Sequence, residues 1–91
     1  MIAIRGETEL TIGGARYVLC LTLGALAEIE SLFGCRSLAE LQARLKQLSA
    51  NELLQVLAIL LRAGGRPANV SSVKPADAAR AVAEAFHAAL G

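Results

Sequence analysis

The spacing of polar and apolar side chains changes its period near residue 22. Before it, Glu7-Thr8-Glu9-Leu10-Thr11-Ile12 alternates, with β-branched residues interspersed, as a strand with one covered face does. Gly13-Gly14 follows, and a glycine pair supplies the two positive φ angles of a tight hairpin turn. The return run Ala15–Leu21 carries Tyr17, Val18 and Leu19. Folding about the glycines sets Leu10 opposite Tyr17 and Thr8 opposite Leu19. Leu10, Ile12, Tyr17, Leu19 and Leu21 then share one face. A lone hairpin is marginal in water, so this face predicts a cover.

The period after residue 22 is helical. Thr22 is placed to cap a helix running to Phe33, with Gly34 as its stop and Leu26, Ile29, Leu32 and Phe33 as its apolar face. Glu28 and Glu30 fall on the wetter side. Ser37 and Glu40 have the spacing of a capping box, and Leu38, Leu41, Leu45 and Leu48 follow as a narrow seam. Glu40 and Arg44 stand in the favourable i,i+4 order for an ion pair. Ser49 and Glu52 repeat the box. The helix they open, Leu53–Ala63, has Gln55 as its one polar residue before Arg62, so it is either central to the core or covered by another chain. Gly64-Gly65 ends it, a loop from Arg66 to Lys74 follows, and Pro75 suits the first turn of a last helix. There Ala79, Val82, Phe86 and Leu90 form the expected buried stripe, with Asp77, Arg80, Glu84 and His87 opposite. The expected fold is α+β, mainly α: an N-terminal β-hairpin packed on a small bundle of about four helices. A single domain over residues 1–91 divides into the hairpin (1–21) and the helical part (22–91).

Composition narrows the function classes. Eighteen Ala and sixteen Leu make up 34 of 91 residues, 55% are hydrophobic and 3% aromatic. Disorder is excluded at that hydrophobicity, and the core is of Leu and Ala. A formal charge of +1 argues against strong attraction to nucleic acid or anionic lipid. The longest apolar run, Val56–Leu61, is far below the about 20 residues of a membrane-spanning helix. Arg5, Glu7 and Glu9 interrupt any export-signal core. Cys20 and Cys35 have no metal-ligand spacing and read as free thiols of a cytoplasmic protein.

Candidate chemistry is sparse. His87 is the lone histidine and has no sequence-visible nucleophile to serve. Glu28 and Glu30 point apart on a helix. Gly13-Gly14 lacks the Lys-Ser or Lys-Thr of a phosphate loop, and Gly64-Gly65 closes a helix where phosphate sites open one. Arg62, Arg66 and Lys74 bracket the loop as a small basic cluster. A helix-turn-helix over Leu38–Ala63 would have an apolar second helix where a recognition helix carries Arg, Lys, Asn or Gln. No catalytic, cofactor or metal residues are expected, and the chain is expected not to be an enzyme. Surplus apolar surface instead implies a partner or self-association.

The stretches R-G-E-x-E-L at Arg5–Leu10, L-T-L-G-A-L-A-E-I-E-S-L-F-G at Leu21–Gly34, L-L-R-A-G-G at Leu60–Gly65 and A-F-H-A-A-L at Ala85–Leu90 together carry a family likeness. They resemble the small tail proteins of gene transfer agents and related long-tailed phages, described as tail assembly chaperones and also labelled tail tube proteins. The stretch between Gly65 and Pro75 is shorter than the linker this resemblance implies. The resemblance implies a chaperone in the bacterial cytoplasm that binds and solubilises the tape measure protein and helps recruit tail tube subunits. The alternatives are a structural tail (tube) component of a gene transfer agent or prophage particle, and a small DNA-binding regulatory protein. No cofactor, membrane or nucleic-acid partner is implied by the favoured reading.

A tape measure protein presents long apolar helical stripes, and grooves between helices accept such stripes. The candidate partner surface is Leu38, Leu41, Leu45 and Leu48 with Leu54 and Leu61 of the next helix. On this reading Leu41→Asp with Leu48→Asp abolishes capture of the tape measure protein and leaves the fold intact. The same leucines also suit an intramolecular core or a homo-oligomer contact.

Overall fold

A computed structural model describes residues 7–90; Arg5 of the opening motif and the part of the expected 1–21 hairpin before Glu7 lie outside them. The hairpin forms as the alternation predicts, from β1 (Glu7–Ile12) and β2 (Ala15–Cys20), antiparallel, with Leu10 facing Tyr17 and Thr8 facing Leu19. Gly13 and Gly14 take φ values of 60° and 84° in the turn. Leu10, Leu19 and Leu21 are buried, with Ile12 and Tyr17 packed at the margin of the same core.

Four helices follow: α1 (Leu23–Phe33), α2 (Leu38–Leu45), α3 (Ala50–Ala63) and α4 (Pro75–Leu90), with a short 3-10 turn at Val70–Ser72 before the last. Thr22 caps α1 by accepting from the Ala25 N–H at 3.0 Å. The hairpin lies on α3 and α4, which also pack on each other, while α1 lies against α3. Val56, Leu57, Leu60 and Leu61 of α3 are fully buried, so its nearly uninterrupted apolar surface reflects a central position.

Several local expectations change. At Ser49 both halves of the capping box form: Glu52 N–H donates to the Ser49 hydroxyl at 3.1 Å, and Ser49 N–H donates to the Glu52 carboxylate at 2.9 Å. At Ser37 only the first half forms, because the Glu40 carboxylate accepts instead from the Arg36 N–H at 3.2 Å. Arg44 passes over Glu40 and pairs with Glu52; it also donates to the Gln47 carbonyl at 2.7 Å and lies 5.0 Å from the Phe33 ring centroid. One guanidinium thus ties the end of α1, the α2–α3 junction and the first turn of α3. The leucine seam is shorter than expected, since α2 ends at Leu45 and Leu48 sits in the junction. In α1, Leu32 is exposed rather than buried.

The Glu52 carboxyl is held below its ordinary range, chiefly by the Ser49 backbone N–H and then by Arg44. A depressed carboxyl stabilises the fold above its unfolded pKa of about 4.3, and this contribution disappears as pH falls through the lower folded value. Glu52→Gln is therefore expected to be less stable than the parent at pH 7 and to converge with it toward pH 3. Urea midpoints across that range check this, and a constant difference would remove the ionic role.

The molecule is flat, with extents of 36 × 33 × 18 Å. That thickness accommodates about two layers of secondary structure at ~10 Å each. A two-layer disc this small has a long perimeter, and the apolar surplus of the composition emerges there. Leu23 is 83% exposed, and Leu32, Leu38, Leu54 and Leu90 are exposed as well.

Candidate functional site

The perimeter leucines of α2 and α3 border a groove along α4. Its wall comes from the sequence of the last helix. Alanines at 78, 81 and 85, with Val82 and Phe86, face the core, because small side chains let α4 approach α3 and the hairpin closely. Ala79 and Ala83 fall outside that face and are exposed. The expected buried stripe of Ala79, Val82, Phe86 and Leu90 is therefore rotated: Ala79 and Leu90 are exposed, and the alanines at 78, 81 and 85 take their places. The rotation turns Ala79, Ala83 and the outer edges of Val82 and Phe86 into one wall of the groove.

The opposite wall is built by α2, the α2–α3 junction and the start of α3. At the middle, Leu45, Lys46, Leu48 and Leu53 face Ala79, Val82, Ala83 and Phe86. Toward the C-terminus of α4, Gln42, Leu45 and Lys46 face Phe86, His87 and Leu90. Toward its N-terminus, Leu53 and Leu54 lead into a second apolar depression with Val70, Val73 and Ala78. Shared residues Leu45, Lys46, Phe86 and Leu53 join the three parts along the 16 residues of α4, about 24 Å of helix.

Of the six leucines proposed from sequence, Leu45 and Leu48 line the middle and Leu54 the N-terminal end. Leu38 is 43% exposed and stands one turn before Gln42 on α2. Leu41 and Leu61 are corrected: both are 0% exposed and belong to the core. On α2, Leu41 is the residue directed inward, and Leu61 lies on the inward face of the central helix, so neither can meet a partner. Sequence reasoning missed Leu53, Ala79, Ala83, Val82, Phe86 and Lys46 as groove residues. The signal was present in α4, where five alanines at 78, 79, 81, 83 and 85 made a stripe one residue to either side equally plausible.

The polar candidates scatter. Arg62 pairs with Glu28 at 2.7 Å, and Arg66 stacks 4.3 Å from the Tyr17 ring centroid while donating to the Arg16 carbonyl at 3.2 Å. Two of the three expected loop cations are thus engaged by partners on separate elements. Arg80 bridges Asp77 and Glu84, and Thr8 donates to Glu84 at 3.1 Å, which fastens α4 to β1. Burial pushes the Cys20 thiol up, and the nearby Glu7 carboxylate adds to the shift, which lowers its thiolate fraction. Among the described residues no group of three metal-ligating side chains comes together, and no helix is long and apolar enough to cross a membrane.

What the groove offers is apolar area with little hydrogen-bonding chemistry, a surface suited to the apolar face of an amphipathic helix. A family model described as "Phage tail tube protein, GTA-gp10" matches residues 5–91. Neither the curated proteins nor the solved structures contain a match to the chain.

Proposed function

The chain belongs to the phage tail tube protein GTA-gp10 family, and from that membership we propose that it acts as a tail assembly chaperone for the tape measure protein. The groove along α4 is the observation that carries the reading. It is lined by the half-buried Leu45, Leu48 and Leu53 and the exposed Leu54 beside Ala79 and Ala83, a channel that a long apolar helical stripe would fill. Covering that stripe would keep the tape measure protein from aggregating until tail tube subunits assemble around it. The chaperone is then cytoplasmic and leaves the finished particle.

Ala83→Asp with Leu54→Asp is the direct test, because both residues are exposed and their substitution spares the core. The double variant is expected to keep its helical circular dichroism and to lose co-purification with the tape measure protein. Retained co-purification would place the client elsewhere.

The family description itself favours a second reading, a structural tail component that stays in the particle. Stoichiometric presence in purified particles supports that reading and removes the chaperone one. The described residues contribute one two-stranded sheet, which is little to build a tube wall from.

A further inference from the structure

Lys46 stands at the junction of the groove's middle and C-terminal parts and lines both. Among the described residues no carboxylate lines any of the three parts. The acidic side chains nearest in sequence are committed elsewhere, Glu40 to the Arg36 N–H and Glu52 to Arg44 and Ser49. Glu9, Glu28, Asp77 and Glu84 are paired with arginines outside the groove. Among the described residues Lys46 takes part in no ion pair. The groove therefore has, among the described residues, an apolar floor and one positive side chain, Lys46, where its middle and C-terminal parts meet, with no counter-charge beside it. His87 lines the C-terminal part on the wall opposite Lys46, and the nearest acidic residue on its own helix, Glu84, is held by Arg80 and Thr8.

We propose that the groove selects an acidic amphipathic helix: about 16 residues, with an apolar stripe at i, i+3, i+4 and i+7 and a carboxylate flanking the stripe where it meets Lys46. Selection by one lysine beside an apolar floor fits a protein helix. A nucleic acid or an anionic membrane surface would call for a patch of several cations. A second copy of this chain would have to offer a free carboxylate beside an apolar stripe, and the pairing of Asp77 and Glu84 with Arg80 makes its α4 a poor donor of one. The inference rests on the groove being the client site, and it adds which clients the groove accepts.

The experiment uses the full-length protein and three 18-residue helical peptides that share one leucine stripe and carry Glu, Gln or Lys at the flanking position. Binding is followed by fluorescence anisotropy at low and physiological salt. The Glu peptide is expected to bind roughly fivefold more tightly than the Gln peptide at low salt, as an exposed ion pair allows, with a smaller ratio at 0.15 M. Lys46→Met should erase the difference, and Lys46→Glu should reverse it in favour of the Lys peptide. Lys46 is exposed, so these variants are expected to fold, and circular dichroism checks that they do. Ala83→Asp should weaken all three peptides. Equal affinity for the three peptides, or a preference unmoved by Lys46→Glu, overturns the charge selection. Preference for anionic vesicles, or a dimer that excludes the peptides in sedimentation, overturns the acidic-helix occupant. If charge selection fails while the tape measure protein is still captured through Ala83, the chaperone reading stands without it. If the peptides obey the charge rule but the tape measure protein is not captured, the groove chemistry stands and the chaperone reading falls.

Discussion

Leu41→Ala is expected to lower stability by about 3 kcal/mol, and Leu41→Asp to leave the chain largely unfolded. The side chain is fully buried and is the one wholly inward residue of α2, a helix of eight residues with few other means of attachment. Removing three carbons from a closed site forfeits their transfer energy and leaves a cavity, which together cost about 2–5 kcal/mol. A carboxylate there would be buried among apolar side chains, and Arg44, the cation of α2, is already held by Glu52 and the Gln47 carbonyl. A domain of this size is typically stable by about 5–15 kcal/mol, so the Asp variant removes most of that margin. Urea unfolding followed by circular dichroism measures both variants. Leu38→Ala, at an exposed position on the same helix, is the control and is expected to change the midpoint little. The sequence reading placed Leu41 with Leu48 on a partner surface and expected the double Asp variant to fold. A folded Leu41→Asp protein would restore that reading and contradict the packing of α2.

The difference between Leu41 and Leu48 marks how far sequence periodicity reaches in this chain. Spacings of 3, 4 and 3 established that Leu38, Leu41, Leu45 and Leu48 share a side. They carried no information on where a short amphipathic helix stops being covered, which depends on how closely its neighbour approaches. The hairpin was readable to the residue, because alternation and a glycine pair leave one register open, and a slip by one residue would expose the whole apolar face. Caps at Thr22, Ser37 and Ser49 were readable for a similar reason: each is a local bond between residues three apart. Arg44 was not. Its partner was assigned to Glu40 from helix geometry, whereas the chain turns at Lys46 and brings Glu52 within reach. The orientation of α4 was also hidden. Alanine packs equally well facing in or out, so an alanine-rich helix leaves its rotation to tertiary contacts, and here that rotation decides whether Ala79 and Ala83 are core or groove wall.

The perimeter position of the groove follows from the same balance. Apolar residues are too many for a two-layer disc 18 Å thick to enclose, and α3 already occupies the centre with four fully buried side chains. The remainder is not spread evenly. Leu45, Leu48, Leu53 and Leu54 gather where the short α2 gives way to α3, and α4 supplies alanines opposite them. A longer side chain at Ala79 or Ala83 would fill the channel from within, so the small residues keep it open.

Gly64→Ala is expected to destabilise the protein by about 2–3 kcal/mol, the reverse of what the backbone alone implies. Gly64 ends α3 with φ −76° and ψ −3°, angles that alanine adopts freely. At such a position Gly→Ala ordinarily stabilises by about 0.4–1 kcal/mol by restricting the unfolded chain. Here a Cβ would overlap the Val18 carbonyl oxygen of β2 and stand 2.8 Å from its carbon. Both are backbone atoms of a strand registered against β1, so neither can move without disturbing the hairpin. The end of α3 must then lift from β2, loosening the core that Leu60 and Leu61 share with Leu19 and costing on the scale of an overpacked core. Gly65 resists a side chain for a different reason: its φ of 96° disfavours one although nothing stands within 4 Å, so Gly65→Ala is expected to cost about 1–2 kcal/mol through backbone strain alone. Thermal unfolding of the two single variants separates these causes. Since distant or independent strains add and shared ones do not, the double variant is also informative: a loss smaller than the sum would mean that lifting α3 from β2 relieves the Gly65 strain as well. A neutral or stabilising Gly64→Ala would show that α3 does not approach β2 this closely, and the position of the central helix would have to be revised.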